Sequence, residues 1–404
     1  MTDIGTYLRR ETERQFPSLV ELQRDLHSHP ELGYEERRTA GRVAREMEAL
    51  GLSLHTGVVK TGVVATMEGG QVGDAVALRV DMDAFRSTNP GVAHVCGHDA
   101  HTTIGIGVAR VLAGLRQHLK GSVRFIFQPA EERPLVEEEG EKPYLEGVRA
   151  VPAARMMVQE GVLEDPQVAA VYGLHLWPWL EAGQVGIEDG PAMAGAANFL
   201  ASVFGKSAHG ATPHAGVDSI VAVAQVLSLL QTIVSRQTSP GEPLVITVGT
   251  VRGGDRRNVI ADRVDISGTV RCLSTSLLEK VVPEKMRAVL EGVTIALGAS
   301  YELDYYPLIL PVMNDGRLAA LARRAVAEVL GQAAVVASMD RAMTSEDFAC
   351  YAEAVPGLYM KVGCSTPGTE VIPLHNRAFS FDEEAIRVGV IATSAAICGR
   401  LSAT

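Results

Sequence analysis

The first half of the chain alternates between helical and β-type patterns of hydrophobic positions. Residues 39–50 carry apolar side chains at helical spacing and stop at Gly51, and the first sixty residues together are predicted to be helical. Short apolar runs then alternate with a helical segment, which predicts strands at residues 75–80, 123–127 and 169–174 and a helix at residues 102–115. This alternation predicts an α/β layer with a mainly parallel central sheet.

The pattern changes near residue 194, where the order of predicted elements becomes β-α-β-β-α-β. This order is typical of the ferredoxin-like arrangement. We therefore predict an inserted α+β domain at residues 194–309, and a discontinuous domain formed by residues 1–193 and 310–404. The predicted strands of the inserted domain are residues 199–204, 244–251, 264–272 and 300–306, and its helices are residues 219–234 and 277–297. A helix at residues 316–330, a strand at 357–362 and a final helix complete the first domain.

Length and composition narrow the class of protein. A chain of 404 residues is too long for one core and favours two domains. The net charge of −11 argues against a nucleic-acid partner, because phosphate contacts need clustered basic residues. The N-terminal residues lack the apolar region of a secretory signal, and the apolar stretch 220–234 is predicted to be too short to span a bilayer. We expect a soluble cytoplasmic protein without a membrane partner.

Polar residues repeatedly follow the predicted strands, where open α/β sheets place their ligand sites. In the segment H-V-C-G-H-D-A-H, Cys96 and His98 are separated by one glycine, and thiolate and imidazole suit zinc and other first-row divalent ions. This motif alone fits a buried structural loop equally well. His94, Asp99 and His101 are interpreted as supporting residues at most.

Two carboxylates and two further histidines strengthen the metal-site interpretation. Glu131 and Glu132 follow a predicted strand, and burying both is costly unless one binds a cation and the other handles a proton. The natural division makes Glu132 a ligand and Glu131 a general base. His175 and His375, each more often structural when taken alone, also follow predicted strands or their short loops. Together these positions predict a site for two metal ions.

Other polar features are interpreted more simply. The five cysteines are scattered and odd in number, so a disulfide framework is not expected. The acidic run from Glu137 to Glu139 is predicted to be a solvated loop without a role. His209 lies in a glycine-rich segment, where composition favours an exposed turn over an oxyanion-stabilising donor on a mobile lid. His214 has no assigned role.

Nine segments occur in an order that resembles a known family. They are L-H-S-H-P-E-L-G-Y-E-E from Leu26, A-L-R-V-D-M-D-A from Ala77, H-V-C-G-H-D-A-H-T from His94, F-Q-P-A-E-E from Phe127, G-L-H-L-W-P from Gly173, G-K-S-A-H-G-A-T-P-H from Gly205, N-V-I from Asn258, S-E-D-F from Ser345 and P-L-H-N-R-A-F from Pro373. The chain resembles the M20 metallopeptidase and amidohydrolase family. The similarity is greatest to its N-acyl-amino-acid hydrolases, which include aminoacylases, hippurate hydrolases and auxin-conjugate hydrolases.

The resemblance implies a role for each candidate residue. The implied ligands of two divalent ions (Zn, Mn, Co or Ni) are Cys96, His98, Glu132, His175 and His375. Glu131 is implied to be the general base and proton shuttle. Asp83 is implied to orient a metal-binding residue without contacting the metal ion itself. The inserted domain is implied to be a lid and dimerisation domain, in which His209 reaches a partner's active site and stabilises the oxyanion. Asn258 is implied to lie near the substrate, at its carboxylate.

The activity implied is hydrolysis of the amide bond in small N-acyl amino acids by a homodimer or higher homo-oligomer. A water activated between the two metal ions attacks the acyl carbon, and Glu131 takes its proton. Two alternatives stay open: a dipeptidase or carboxypeptidase with the same site, and a non-catalytic binding homologue. Two departures from the family, a shortened loop after Asp83 and Ala261 where a proline is common, bear on substrate preference.

Overall fold

The computed structural model describes residues 4–86, 91–133, 135–136 and 150–402. The helices in this part of the chain are α1 Ile4–His27, α2 Arg37–Ala49, α3 His98–Ala113, α4 Ala153–Gln159, α5 Ser219–Gln237, α6 Val282–Leu297, α7 Gly316–Leu330, α8 Ala349–Ala354 and α9 Glu384–Ser402. The strands are β1 Ser53–Val58, β2 Gly62–Glu68, β3 Gln71–Asp81, β4 Phe85–Arg86, β5 Val92–Ala93, β6 Lys120–Gln128, β7 Leu135–Val136, β8 Ala150–Val151, β9 Val168–Glu181, β10 Val185–Gly186, β11 Gly190–Met193, β12 Gly195–Phe204, β13 Leu244–Gly253, β14 Arg263–Cys272, β15 Ser300–Ile309, β16 Val312–Asn314, β17 Val335–Val336 and β18 Gly357–Ser365.

The large sheet has eight strands in the order β1-β2-β6-β3-β9-β18-β10-β17. Its four central strands, β6, β3, β9 and β18, are parallel. They read as continuous apolar runs because both faces of the sheet are covered. On β3, for example, Val76 and Leu78 belong to one buried cluster with helices α1, α3 and α9, whereas Ala77 belongs to the cluster with α4 and α8. The prediction of a mainly parallel central sheet is confirmed.

A second, antiparallel sheet has the order β13-β14-β12-β15. With α5 and α6 it forms what we call the inserted unit, and the remainder of the described chain is the main unit. The strands and helices of the inserted unit follow each other as β-α-β-β-α-β, which is the ferredoxin-like order. Both helices pack on one face of this sheet around their own buried cluster. The α/β fold class with an inserted α+β unit is thus confirmed, while the exact boundaries at 194 and 309 stay a prediction.

Three local predictions are wrong. Residues 53–58 form the edge strand β1 and not a helix; most of its side chains are exposed, so the sequence carries no clear apolar alternation there. Helix α3 begins at His98, four residues before the predicted start, because Gly97 adopts a left-handed conformation (φ 92°) that turns the chain into the helix. His175 lies inside β9, which continues to Glu181, and does not follow the strand.

Helix α5 is longer than the apolar stretch in the sequence. Its 19 residues have the length and apolar composition of a membrane-crossing helix, which differs from the prediction that the stretch is too short. Core helices of soluble proteins meet the same criteria, so length and composition are weak indications here. The inward-facing residues of α5, among them Val226 and Leu230, are buried in the cluster of the inserted unit.

The start of α5 provides a test of the inserted unit. The carboxylate of Asp218 accepts hydrogen bonds from the backbone N–H groups of Ile220 and Val221, at 3.0 and 3.2 Å. We expect Asp218→Ala to lower the free energy of unfolding by about 1 kcal/mol, because these N–H groups lose their acceptor. Asp218→Asn keeps an acceptor oxygen, so its free energy of unfolding should fall by only a fraction of this amount. Urea denaturation followed by circular dichroism measures both, and equal stabilities for Asp218→Ala and wild type would contradict the assignment.

Candidate metal centre

The residues predicted to bind or surround the metal ions meet at one edge of the large sheet. Parallel strands end on the same side of a sheet, and here β3 leads directly to Asp83 while β6 leads to Glu131 and Glu132. Cys96 precedes α3, and His98 is the first residue of that helix. The side chain of His175 reaches the same edge from within β9.

All five predicted ligands and the predicted base belong to overlapping groups of donor atoms. Within each group the donor atoms lie within 4.8 Å of one another. The groups are Cys96, His98 and His175; Cys96, Glu132 and His375; and His98, Glu131 and Glu132. Because each group shares a residue with another, the structure brings the complete predicted set together in one cluster.

Cys96 lies at the centre of the cluster. Its Sγ atom is 3.5 Å from Nε2 of His175 and 3.3 Å from Nε2 of His375. Oε1 of Glu132 lies 2.8 Å from the same Nε2 of His375. The ring of Phe85 stacks on His375 with 4.5 Å between centroids, which holds the imidazole towards the cluster.

Asp83 contacts two of the predicted metal-binding residues, His98 and Glu132. Its Oδ1 atom is 3.1 Å from Nδ1 of His98, and its Oδ2 atom accepts a hydrogen bond of 3.0 Å from the backbone N–H of Glu132. Nε2 of His98 is buried and has no hydrogen-bond partner among the described residues. A carboxylate on one imidazole nitrogen and a free second nitrogen is the usual arrangement of a histidine that binds metal.

The electrostatics of the cluster suit a divalent cation. Burial, together with the carboxylate of Glu132, raises the pKa of the Cys96 thiol well above its usual range. Burial also raises the pKa of Glu131, and the nearby carboxylate of Glu346 adds to this effect. The pKa of His175 is lowered by its burial, so its imidazole is neutral, the form that coordinates metals. Buried acidic donors in such number stay ionised together only when a positive charge lies among them.

A buried charge network that the sequence analysis did not assign lies next to Glu131. The guanidinium of Arg79 is fully buried and lies 2.8 Å from both Asp81 and Asp347 and 3.1 Å from Glu346. Carboxylate oxygens of Glu346 and Asp347 lie within 4.8 Å of one from Glu131. An arginine inside the apolar run A-V-A-L-R-V was a sequence signal for this network, because a buried cation requires partners.

The other polar residues of the C-G-H-D-A-H segment, His101 and Asp99, have their own partners. His101 lies between Asp81, 2.7 Å from its Nδ1, and the backbone N–H of Leu176, which donates to its Nε2. Asp99 is 2.7 Å from Nδ1 of His27. These contacts join α1, α3 and the large sheet beneath the cluster.

The acidic run from Glu137 to Glu139 and residues 87–90 of the shortened loop lie outside the described residues.

His209 and Asn258 lie together in the inserted unit, apart from the cluster. The backbones of His209 and Val259 form a bridge, and the N–H of Gly210 donates to the carbonyl of Asn258 at 2.8 Å. Both side chains are exposed. Neither residue is among those that line the cleft above Cys96 in the described part of the chain.

That cleft has a volume of about 640 Å³ and lies between the two units. The donor cluster forms its floor, and Asn198, Thr269 and Arg271 of the inserted unit line it from the other side. Arg271 was missed by the sequence analysis. Its guanidinium donates to Oγ of Ser345, and burial lowers its pKa. No carboxylate of the described residues forms an ion pair with it, so a desolvated cation faces the cleft.

Comparison with known proteins agrees with this geometry. Residues 73–398 match the family described as Peptidase family M20/M25/M40. The chain is 37% identical to the N-acetylcysteine deacetylase of Bacillus subtilis, with 92% of this chain and 93% of the relative covered. It is 40% identical to the N-acyl-L-amino acid amidohydrolase of Geobacillus stearothermophilus over 73% of this chain and 78% of the relative.

A solved structure resembles it over almost its full length. The YXEP protein of Bacillus subtilis, described as a dinuclear metal-binding peptidase of the M20 family, superposes with a TM-score of 0.80 and 33% identity. The match covers 97% of this chain and 99% of that structure. The resemblance seen in the sequence motifs is confirmed: the chain belongs to peptidase family M20/M25/M40 and is a hydrolase of its amidohydrolase type.

Proposed function

We propose that this protein hydrolyses the amide bond of N-acyl amino acids with two divalent metal ions. The observation that carries this proposal is that one cleft holds both the donor cluster with Glu131 and, opposite it, the guanidinium of Arg271, which has no carboxylate partner among the described residues. The names of two relatives, N-acetylcysteine deacetylase and N-acyl-L-amino acid amidohydrolase, support this class of substrate.

The residues that would hold the metal ions are Cys96, His98, Glu132, His175 and His375. When bound, divalent ions polarise the amide carbonyl and make water acidic enough to ionise near neutral pH. Thiolate, imidazole and carboxylate donors suit Zn, Mn, Co or Ni. Asp83 fixes the ring of His98 and the backbone of Glu132, which orients two of these donors.

Glu131 is the residue that would move the proton. Its carboxylate lies beside Glu132 and His98 and close to Glu346 and Asp347. The neighbouring carboxylates and burial raise its pKa, which favours retention of a proton taken from water until the leaving amine can accept it. Arg271 is suited to hold the carboxylate of the amino-acid half, since a guanidinium binds a carboxylate through two parallel hydrogen bonds.

The inserted unit would complete the site across a homodimer. Strand β13 is an edge of its sheet and exposes Val245 and Val251, and the nearby start of α5 exposes Ile220 and Val221. An exposed edge strand with apolar residues beside it is suited to pair with a second copy. His209, which does not line the cleft of its own chain, would then stabilise the oxyanion in the partner, with Asn258 near the substrate. The five cysteines are all free and buried, which fits a reducing compartment such as the cytoplasm.

Replacement of Glu131 tests the base. We expect Glu131→Gln to lower kcat about 100- to 10,000-fold, because the amide cannot accept the proton of the attacking water. Metal content after reconstitution with Zn²⁺ or Mn²⁺, measured by inductively coupled plasma mass spectrometry, should stay that of wild type. Glu353→Gln, which removes a surface carboxylate on α8, is the control and should leave kcat unchanged. Near-wild-type turnover of Glu131→Gln would disprove the assignment.

Replacement of Arg271 tests recognition of the carboxylate. Arg271→Met should raise KM for N-acetyl amino acids about 10- to 100-fold, the usual cost of losing a charge-assisted hydrogen bond in a desolvated site. The same substrates with the carboxylate converted to an amide should be hydrolysed equally by variant and wild type. Arg263→Met is a matched control on the same strand, because Arg263 pairs with Asp265 and does not line the cleft. An unchanged KM for the free acids would assign Arg271 another role.

Mixed dimers test whether His209 acts in the partner. Glu131→Gln and His209→Asn subunits, each inactive alone, are unfolded together and refolded as a mixture. We expect roughly one quarter of wild-type activity, because half of the dimers are mixed and each contains one site with both native residues. If His209 served its own chain, no site in the mixture would be complete and activity would stay at the level of the separate variants.

A further inference from the structure

One motif of the sequence has no role in the site described so far. It is the segment from Glu31 to Glu36, E-L-G-Y-E-E, between α1 and α2, which we call the N-terminal clamp. On one side it is attached to the chain that follows Asp83. The carbonyl of Glu31 accepts a hydrogen bond of 2.8 Å from the N–H of Ala84, and Leu32 forms a parallel bridge with Ala84.

On its other side the clamp contacts the loop that carries the base. Oε1 of Glu36 accepts a hydrogen bond of 2.8 Å from the backbone N–H of Ala130, and Oε2 accepts one of 2.6 Å from the hydroxyl of Thr61. Gly33 packs against the same alanine so closely that a Cβ added at Gly33 would lie 2.8 Å from Cβ of Ala130. The clamp therefore touches both loops that lead to the donor cluster.

The backbone at Ala130 needs such support. Ala130 has a φ of 53°, in the left-handed region that residues with a Cβ rarely occupy. A residue in this conformation persists only where its surroundings hold it. Glu131 and Glu132 are the next two residues, so a change of conformation at Ala130 would move both of their carboxylates.

The environment of Glu36 sets it apart from a structural ion pair. Its side chain is fully buried, and its hydrogen-bond partners are neutral, a hydroxyl and a backbone amide. Burial, together with the carboxylate of Asp83, raises the pKa of Glu36 to about 7. A carboxylate buried without a cation is unfavourable for folding. One of its hydrogen bonds fixes the backbone of Ala130, directly before Glu131, and the other fixes the side chain of Thr61.

We infer that Glu36 is a positioning residue, which holds Ala130 in its left-handed conformation and thereby sets the positions of Glu131 and Glu132. Glu36 touches neither the donors nor the cleft and acts only through Ala130. The inference rests on the proposed function for the identity of Glu131 as base and Glu132 as ligand. Its test does not depend on the substrate, since misplacement of Glu132 should also weaken binding of metal.

The first experiment measures metal affinity and kinetics of Glu36→Gln. Glutamine keeps one acceptor oxygen, so it can hold the N–H of Ala130 only if its amide group turns to Thr61 and the hydroxyl there accepts where it now donates. A neutral amide oxygen also accepts more weakly than a carboxylate, so the hold on Ala130 is weakened. We expect affinity for Zn²⁺ and Mn²⁺, measured by isothermal titration calorimetry on the apoprotein, to fall about 10- to 100-fold, the range usual for residues behind metal ligands. At saturating metal, kcat for an N-acetyl amino acid should fall by a similar factor while KM changes little, since Arg271 is untouched.

A matched control separates positioning from general destabilisation. Glu46 on α2, ten residues after Glu36, is a largely buried carboxylate whose partners are Arg42 and Arg110 and not the loop of Glu131. Glu46→Gln should lower thermal stability and leave metal affinity and kcat at wild-type values. If Glu46→Gln weakened metal binding as much as Glu36→Gln, or if Glu36→Gln raised KM alone, the inference would be overturned.

A rescue experiment tests the role of Ala130 itself. Glycine adopts a φ of 53° without strain, so the loop of an Ala130→Gly variant depends less on Glu36. The double variant Glu36→Gln/Ala130→Gly should recover several-fold of the lost metal affinity and kcat. No recovery would show that Glu36 acts by another route. Should Glu36→Gln not fold, Thr61→Val, which keeps the carboxylate but removes one donor, should show a smaller loss in the same direction, and wild-type affinity would overturn the inference.

The two proposals fail in different ways. If the wild-type protein binds two metal ions but hydrolyses no N-acyl amino acid, the proposed function is wrong, while a loss of metal affinity in Glu36→Gln would still support the positioning role. If the wild type is active and Glu36→Gln binds metal and turns over as well as the wild type, the positioning role is wrong and the proposed function stands.

Discussion

The desolvation of acidic groups is the constraint on which the site depends. Donor atoms of Cys96 and Glu131 each lie within 4.8 Å of one from Glu132 at the edge of the large sheet, and those of Glu346 and Asp347 lie within the same distance of Glu131. Transfer of such groups from water is unfavourable unless positive charge compensates for it. The fold supplies one fixed positive charge, Arg79, and places it on the side of Asp347 and Glu346. On the side that faces the cleft, the basic groups within the described donor cluster are histidines, and Arg271 lines the opposite wall, so compensation next to the donors is the role expected of bound cations.

Two kinds of support hold the donors in place. From below, Asp83 contacts His98 and the backbone of Glu132, so that one carboxylate couples a residue of α3 to a residue after β6. From the side, the N-terminal clamp contacts the chain after Asp83 and the loop at Ala130. The six residues of the N-terminal clamp therefore support the donor cluster through these two contacts, although they contribute no donor.

Much of this arrangement could be predicted from the sequence, for physical reasons that differ by residue. The central strands were recognisable because both of their faces are buried, which makes their sequences continuously apolar. The carboxyl ends of parallel strands lie at the same edge of a sheet, and this rule predicted that Cys96, Glu132 and His375 lie close together. Strand β1 was missed because its exposed side chains carry no apolar alternation. Arg271 and Glu36 were missed because their importance lies in contacts between segments distant in the chain, Arg271 with Ser345 and Glu36 with Ala130. No local spacing signals such pairs.

The hydrogen bond between Arg271 and Ser345 has a consequence for the contact between the two units. Arg271 belongs to the inserted unit and Ser345 to the main unit, so this bond ties them across the cleft. An anion that binds the guanidinium competes with Ser345 for its donors. A ligand that took up these donors would replace a contact between the two units with a contact of its own, so the free energy of binding would include the loss of the bond to Ser345.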